Sequence, residues 1–213
     1  ADGSGETKLT NASANNRGQS WSPDGSKIVY VRKHRADKYG SRQADLFSYN
    51  LTANDPGLFA NLIWAIPSMV AAYAPEPERV TQLSTGLRAL YPTYSPDGNW
   101  IAFVRNQGSS NNLGFLWHDG SVIVMVPGGK DFTELYTPSW SSDGTKLALS
   151  RSHKGQRDIV YIDLDRERLD SFGSKWVQTQ SVTGSEPITH MDSGIVRSVK
   201  PIVATEGTDR DPV

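Results

Sequence analysis

Trp21-Ser-Pro-Asp-Gly-Ser-Lys-Ile-Val-Tyr-Val-Arg32, Tyr94-Ser-Pro-Asp-Gly-Asn-Trp-Ile-Ala-Phe-Val-Arg105 and Trp140-Ser-Ser-Asp-Gly-Thr-Lys-Leu-Ala-Leu-Ser-Arg151 are three copies of one segment in a chain of 213 residues. Aligned without gaps, they share an aromatic, a serine, an Asp-Gly pair and a closing arginine. The segment reads as a hairpin. Ser-Pro-Asp-Gly fits a type I turn: proline presets φ, the aspartate bonds neighbouring backbone N–H groups, and glycine accepts the positive φ that follows. The runs after the turn, such as Ile101-Ala-Phe-Val104, are continuously apolar rather than alternating, which predicts strands covered on both faces.

Each hairpin is followed by a polar loop and a further β-rich run: Asp45 to Leu51, Ser121 to Val126, and Asp158 to Leu164. Short runs precede the hairpins at Lys8-Leu-Thr10 and Gln82-Leu-Ser84, with a weaker counterpart at Phe132-Thr133. The unit therefore has about four short strands. Asp97 and Asp143 are 46 residues apart, whereas Asp24 and Asp97 are 73 apart. The first spacing matches the roughly 40–50 residues of a propeller blade, and the second leaves an insertion, placed at 53–78. Beyond Arg166 the repeat fades. Trp176 to Thr183 alternates like a strand that Gly194 to Val199 could pair with, so 166–200 is expected to be an elaborated or divergent blade region.

The aromatic-Ser-Pro-Asp-Gly-x-x-Ile-x-Phe strand, the Asp-Ile-Tyr-like strand and the Leu-Thr link together resemble the TolB-like β-propeller repeat, over about residues 1 to 167. That family includes the periplasmic TolB protein and the propellers of tricorn and prolyl oligopeptidase-type peptidases. The resemblance implies an all-β fold of four-stranded antiparallel blades, residues 1–213 forming a single partial propeller domain. It implies export to the periplasm or the cell exterior, and leaves activity open, because propellers host many functions. Three blades cannot close a ring of four to eight, so a segment of a longer polypeptide or assembly is expected.

Composition narrows the function. Lys plus Arg number 22 and Asp plus Glu 23, so no overall field gathers nucleic acid. Without cysteine there is no disulfide, thiolate metal site or cysteine nucleophile. The most apolar stretch, Leu58 to Ala74, is broken by Asn61 and Pro67 and falls short of the roughly 20 residues that span a bilayer.

The candidate site residues divide into two kinds. Asp24, Gly25, Asp97, Gly98, Asp143 and Gly144 are fully explained by the turns. Arg32, Arg105 and Arg151 read as strand-end cations pairing with a neighbouring blade, and Asp163 with Asp165 as charges on a solvated outer strand. The histidines His34, His118, His153 and His190 occur singly, without the spacing of a zinc site. No Gly-x-Ser-x-Gly elbow and no phosphate-binding loop is present. Catalytic residues, metals and cofactors are accordingly expected to be none. The insertion is the exception, since Leu62, Trp64, Met69 and Tyr73 stand in a loop too apolar to be decorative. They are expected to dock a protein partner or another part of the same assembly, with capping of a blade edge as the alternative. The function these features imply is a non-catalytic scaffold or interaction module; the alternative is the substrate-gating propeller of a serine peptidase whose catalytic domain lies outside the segment.

Overall fold

The computed structural model describes residues 8–10, 15–33, 43–52, 79–108, 110–128, 134–153, 156–179 and 188–203. Three antiparallel blades follow one another. The first is β1 (Asn15–Trp21), β2 (Lys27–Lys33), β3 (Ala44–Asn50) and β4 (Val80–Gln82), paired in that order. The second is β5 (Ala89–Tyr94), β6 (Trp100–Asn106), β7 (Asn111–Trp117) and β8 (Val122–Met125). The third is β9 (Glu134–Trp140), β10 (Lys146–His153) and β11 (Gln156–Leu164), completed by β13 (Val196–Val203).

This is the all-β, four-stranded blade arrangement read from the repeats, and among the described residues the sheets do not close into a ring. The first strands of successive blades, β1, β5 and β9, lie against one another and are the inner strands. The continuous apolar runs have the expected cause. Val29, Val31 and Leu46 of the first blade meet Ile101, Phe103, Leu116 and Met125 of the second. The opposite face of the second blade presents Trp100, Ala102, Val104, Leu113 and Phe115 to Leu135, Leu147, Leu149, Val160 and Ile162 of the third. The middle blade is thus buried on both faces.

The short link runs are not inner strands of the hairpins they precede. Val80–Gln82 closes the blade behind it by pairing with β3, because its antiparallel register there satisfies the outer edge before the chain crosses over. Lys8 to Thr10 form no strand, and Phe132-Thr133 lies outside the described residues.

The region after β11 departs further from its reading. Residues Arg166–Thr179 form a helix, α1, so the strand expected from Trp176 is helical as far as Thr179. Asp165 caps it: its carboxylate accepts the Arg168 N–H at 3.0 Å, and its carbonyl accepts the Leu169 N–H at 2.9 Å. Leu169 is fully buried and Phe172, three residues on, packs beside it, a helical spacing that outweighs the local alternation. β12 (Ile188–Met191) then adds to the edge of β8 in parallel, and Gly194 to Val199 pair not with it but lead through a 3-10 turn (Ser193–Ile195) into β13, against β11. The insert between the third and fourth strands of one blade therefore widens the blade beside it. α1 fits there because residue 173 is glycine: a Cβ would stand 2.3 Å from the Trp117 ring.

Candidate functional site

The blades have two ends, and the repeated motif builds one of them. At Ser22, Ser95 and Ser141 the hydroxyl donates to Asp24, Asp97 and Asp143 at 2.6, 2.5 and 2.6 Å. The same hydroxyls accept the backbone N–H of Lys27, Trp100 and Lys146. Each aspartate also accepts the N–H two residues on, from Ser26, Asn99 and Thr145. Gly25, Gly98 and Gly144 take φ of 70°, 75° and 68°, the left-handed region that a glycine enters without strain.

These bonds stabilise the charged carboxylate. The Ser22 and Ser141 hydroxyls, with the backbone amides, hold Asp24 and Asp143 down at about 2. Burial alone would raise Asp97, but the Ser95 hydroxyl and Arg166 outweigh it and its pKa is lowered. The turns also stack: a Cβ on Gly98 would stand 3.5 Å from Pro23, and one on Gly144 3.6 Å from Pro96. Arg166 crosses from the third blade to Asp97 of the second at 2.6 Å while lying over Trp140. All six turn residues thus serve the turns themselves. Asp163 and Asp165 are likewise engaged, by Lys200 at 3.0 Å and by Arg197 at 3.1 Å. Among the described residues no group of three or more His, Asp or Glu side chains could hold a metal. Leu62, Trp64, Met69 and Tyr73 lie outside the described residues.

From mid-strand towards the far end the blades are different, and no motif announces it. Gly18, Tyr91 and Thr137 occupy the same position in the three inner strands, three residues before the aromatic that ends each. All have positive φ, of 56°, 52° and 43°, and each sits at a register shift in the pairing with the second strand. Only the first is glycine. A tyrosine and a β-branched threonine held there cost roughly 1–3 kcal/mol each, a strain that collects at functional sites.

The bulges adjoin one another. The Tyr91 backbone lies against Gly18, and the Tyr91 ring meets Tyr136 edge-on with centroids 6.4 Å apart. Tyr136 donates to Glu134 at 2.7 Å, which holds its hydroxyl above the usual phenol range, and Arg157 lies over its ring at 4.5 Å. Tyr91 remains 38% exposed. An aromatic and guanidinium cluster therefore lines the inner strands at this end, with the chemistry of recognition rather than of bond cleavage.

The repeated arginines reach the same end, and among the described residues they form no ion pair with a neighbouring blade, contrary to the expectation. Arg151 meets Asp158 of its own blade at 3.8 Å. Arg32 donates to Tyr30 at 2.9 Å and covers Phe47. The cause is register: the closing arginine of strand two stands opposite the start of strand three in the same sheet.

No family model matches the chain, and no curated protein matches its sequence. Solved structures do match. A TolB-type protein of Agrobacterium tumefaciens superposes with a TM-score of 0.50 at 19% identity, over 73% of this chain and 47% of that one. The fold is a TolB-like β-propeller segment. An oligogalacturonate lyase in complex with manganese superposes equally well, with a TM-score of 0.50 at 16% identity over 75% of this chain and 41% of that one. The β-propeller domain of the Trilobed protease from Pyrococcus furiosus follows at 0.46 and 16%, over 72% and 41%. The chain spans less than half the length of each.

Proposed function

We propose that the chain is a non-catalytic binding segment of a larger exported propeller, which presents its far end to a protein partner. The observation that carries this reading is the row of bulges in the inner strands, which spends backbone strain to hold Tyr91 beside Tyr136 and Arg157. Tyrosine and arginine are the residue types that dominate interface energetics. The apolar insertion, with Leu62, Trp64, Met69 and Tyr73, is proposed as a second docking element, since aromatic residues with Met suit the core of an interface.

The test is turnover. The chain is offered peptide, ester and phosphate-ester substrates, and none is expected to be converted. Saturable turnover that a single Ser→Ala change abolishes overturns the reading. A Ser-Asp-His domain found in the same open reading frame would instead make the segment the substrate-gating propeller of a peptidase.

A further inference from the structure

The three repeats differ at one position of the far end, opposite the repeated arginine. Opposite Arg32 in the register stands Asp45, and opposite Arg151 stands Asp158, but opposite Arg105 stands the neutral Asn112. The middle blade is therefore the one that lacks the acid. The Nε of Arg32, Arg105 and Arg151 is buried without a hydrogen-bond partner in every blade, but only in the middle one does a neutral side chain face it, and the Asn112 Oδ1 is also unpartnered. No acid among the described residues forms an ion pair with Arg105 or with Arg88.

Arg88 adds a second charge, one residue from the strand partner of the first. It is exposed and precedes Ala89, the inner-strand partner of Arg105, and its carbonyl accepts the Asn106 N–H at 3.0 Å. From Arg105 to Leu113 the sequence is Arg-Asn-Gln-Gly-Ser-Ser-Asn-Asn-Leu, rich in N–H and O–H donors and free of carboxylates. The amides of this hairpin are tied among themselves, Asn106 to Asn111 at 3.0 Å and Asn112 to Gln107 at 3.1 Å, which fixes the frame. A half-buried guanidinium without a counter-charge favours an incoming anion more than a surface lysine does, because its charge is less screened and its fork matches a carboxylate.

We infer that the far end of the middle blade is a docking site for the carboxylates of an acidic peptide segment, with Arg105 and Arg88 as its anchors and the exposed Tyr91 at its inner border. This deepens, and rests on, the reading of the chain as a binding segment. A peptide is favoured over a free anion because Tyr91, 38% exposed and two residues along the inner strand from the partner of Arg105, offers apolar contact area that a small anion would leave unused.

The experiment uses the full chain and a fluorescein-labelled hexaglutamate peptide, followed by fluorescence anisotropy at low salt. Hexaglutamate binds and hexaglutamine does not. Arg105→Gln weakens binding roughly tenfold or more, the scale of a lost charge-assisted pair. Asn112→Asp does the same by supplying the missing acid from within, and it raises the Tm by a few degrees. Arg197→Gln, at the turn end, leaves binding unchanged. The inference is overturned if hexaglutamate does not bind, if Arg197→Gln weakens it as much as Arg105→Gln, or if equimolar inorganic phosphate displaces it. Failure here with no turnover seen leaves the binding role standing, whereas turnover removes that role whatever the peptide does.

Discussion

The turn end and the far end of the same blades follow opposite rules. At the turn end three sequences converge on one arrangement, down to a serine hydroxyl within 2.6 Å of each aspartate. At the far end the backbone bulge is equally regular, but the side chains diverge: Gly18, Tyr91 and Thr137 on the inner strands, and Asp45, Asn112 and Asp158 opposite the arginines. What is repeated is needed by every blade to fold. What departs from the repeat is free to recognise something, and it is there that strain and an uncompensated charge are found.

The largest expected effect lies between the two ends, in the middle blade that both neighbours cover. Trp100 is fully buried, meets Trp117 with centroids 4.9 Å apart and donates to Asp170 at 2.9 Å. Trp100→Ala should cost about 3–5 kcal/mol, read as a lowered denaturant midpoint. A loss below about 1 kcal/mol would mean that the second and third blades are not one cooperative unit.

Next come the turns, where the comparison predicts a graded response. Asp97→Asn should cost about 1 kcal/mol, a charge-assisted bond discounted for solvent screening, because it alone also holds Arg166. Asp143→Asn should cost less. The folded pKa values of all three aspartates are depressed. Their stabilisation is therefore complete above the ordinary carboxylate value near 4 and is lost as the pH falls toward about 2 for Asp24 and Asp143. The wild type should therefore exceed the triple Asn variant in stability by a constant amount above that window, and the two should converge as the pH falls through it.

At the far end, Gly18→Ala tests whether the bulge is as firmly held in the first blade as in the others. The change places a Cβ at positive φ, 3.4 Å from Pro92, and should cost roughly 1 kcal/mol. A neutral result would mean that this strand straightens freely. The smallest effect belongs to the outer strands: Lys200 bonds Asp163 at 3.0 Å but is more than half exposed, and Lys200→Ala should leave the thermal midpoint unchanged.

The blades were legible because turn chemistry is local. Ser-Pro-Asp-Gly fixes a hairpin within a few residues, and the apolar run after it gives the strand away. α1 was missed because Trp176 to Thr183 alternates, while the stronger signal, Leu169 and Phe172 at helical spacing behind the capping Asp165, lay further upstream. The parallel pairing of β12 with β8 joins residues 66 apart, and no pattern within either strand announces it. The far-end site was hidden for another reason. Arg105 to Asn112 and Arg151 to Asp158 share one spacing in the sequence, but only the strand register shows that these pairs face each other.

That register also supplies the most direct test of the whole comparison. The thermal midpoints of Asp45→Asn, Asn112→Asp and Asp158→Asn probe one position in three blades. Asp45 is buried and accepts from the Ser84 hydroxyl and the Leu87 N–H, so its loss should cost about 1–3 kcal/mol; removing Asp158 should lower the midpoint by less. Asn112→Asp should raise it, because in the middle blade the residue opposite the arginine is neutral. If Asn112→Asp lowers the midpoint as the two acid removals do, Arg105 is not an uncompensated charge, and the division between a repeated folding end and a divergent binding end does not hold.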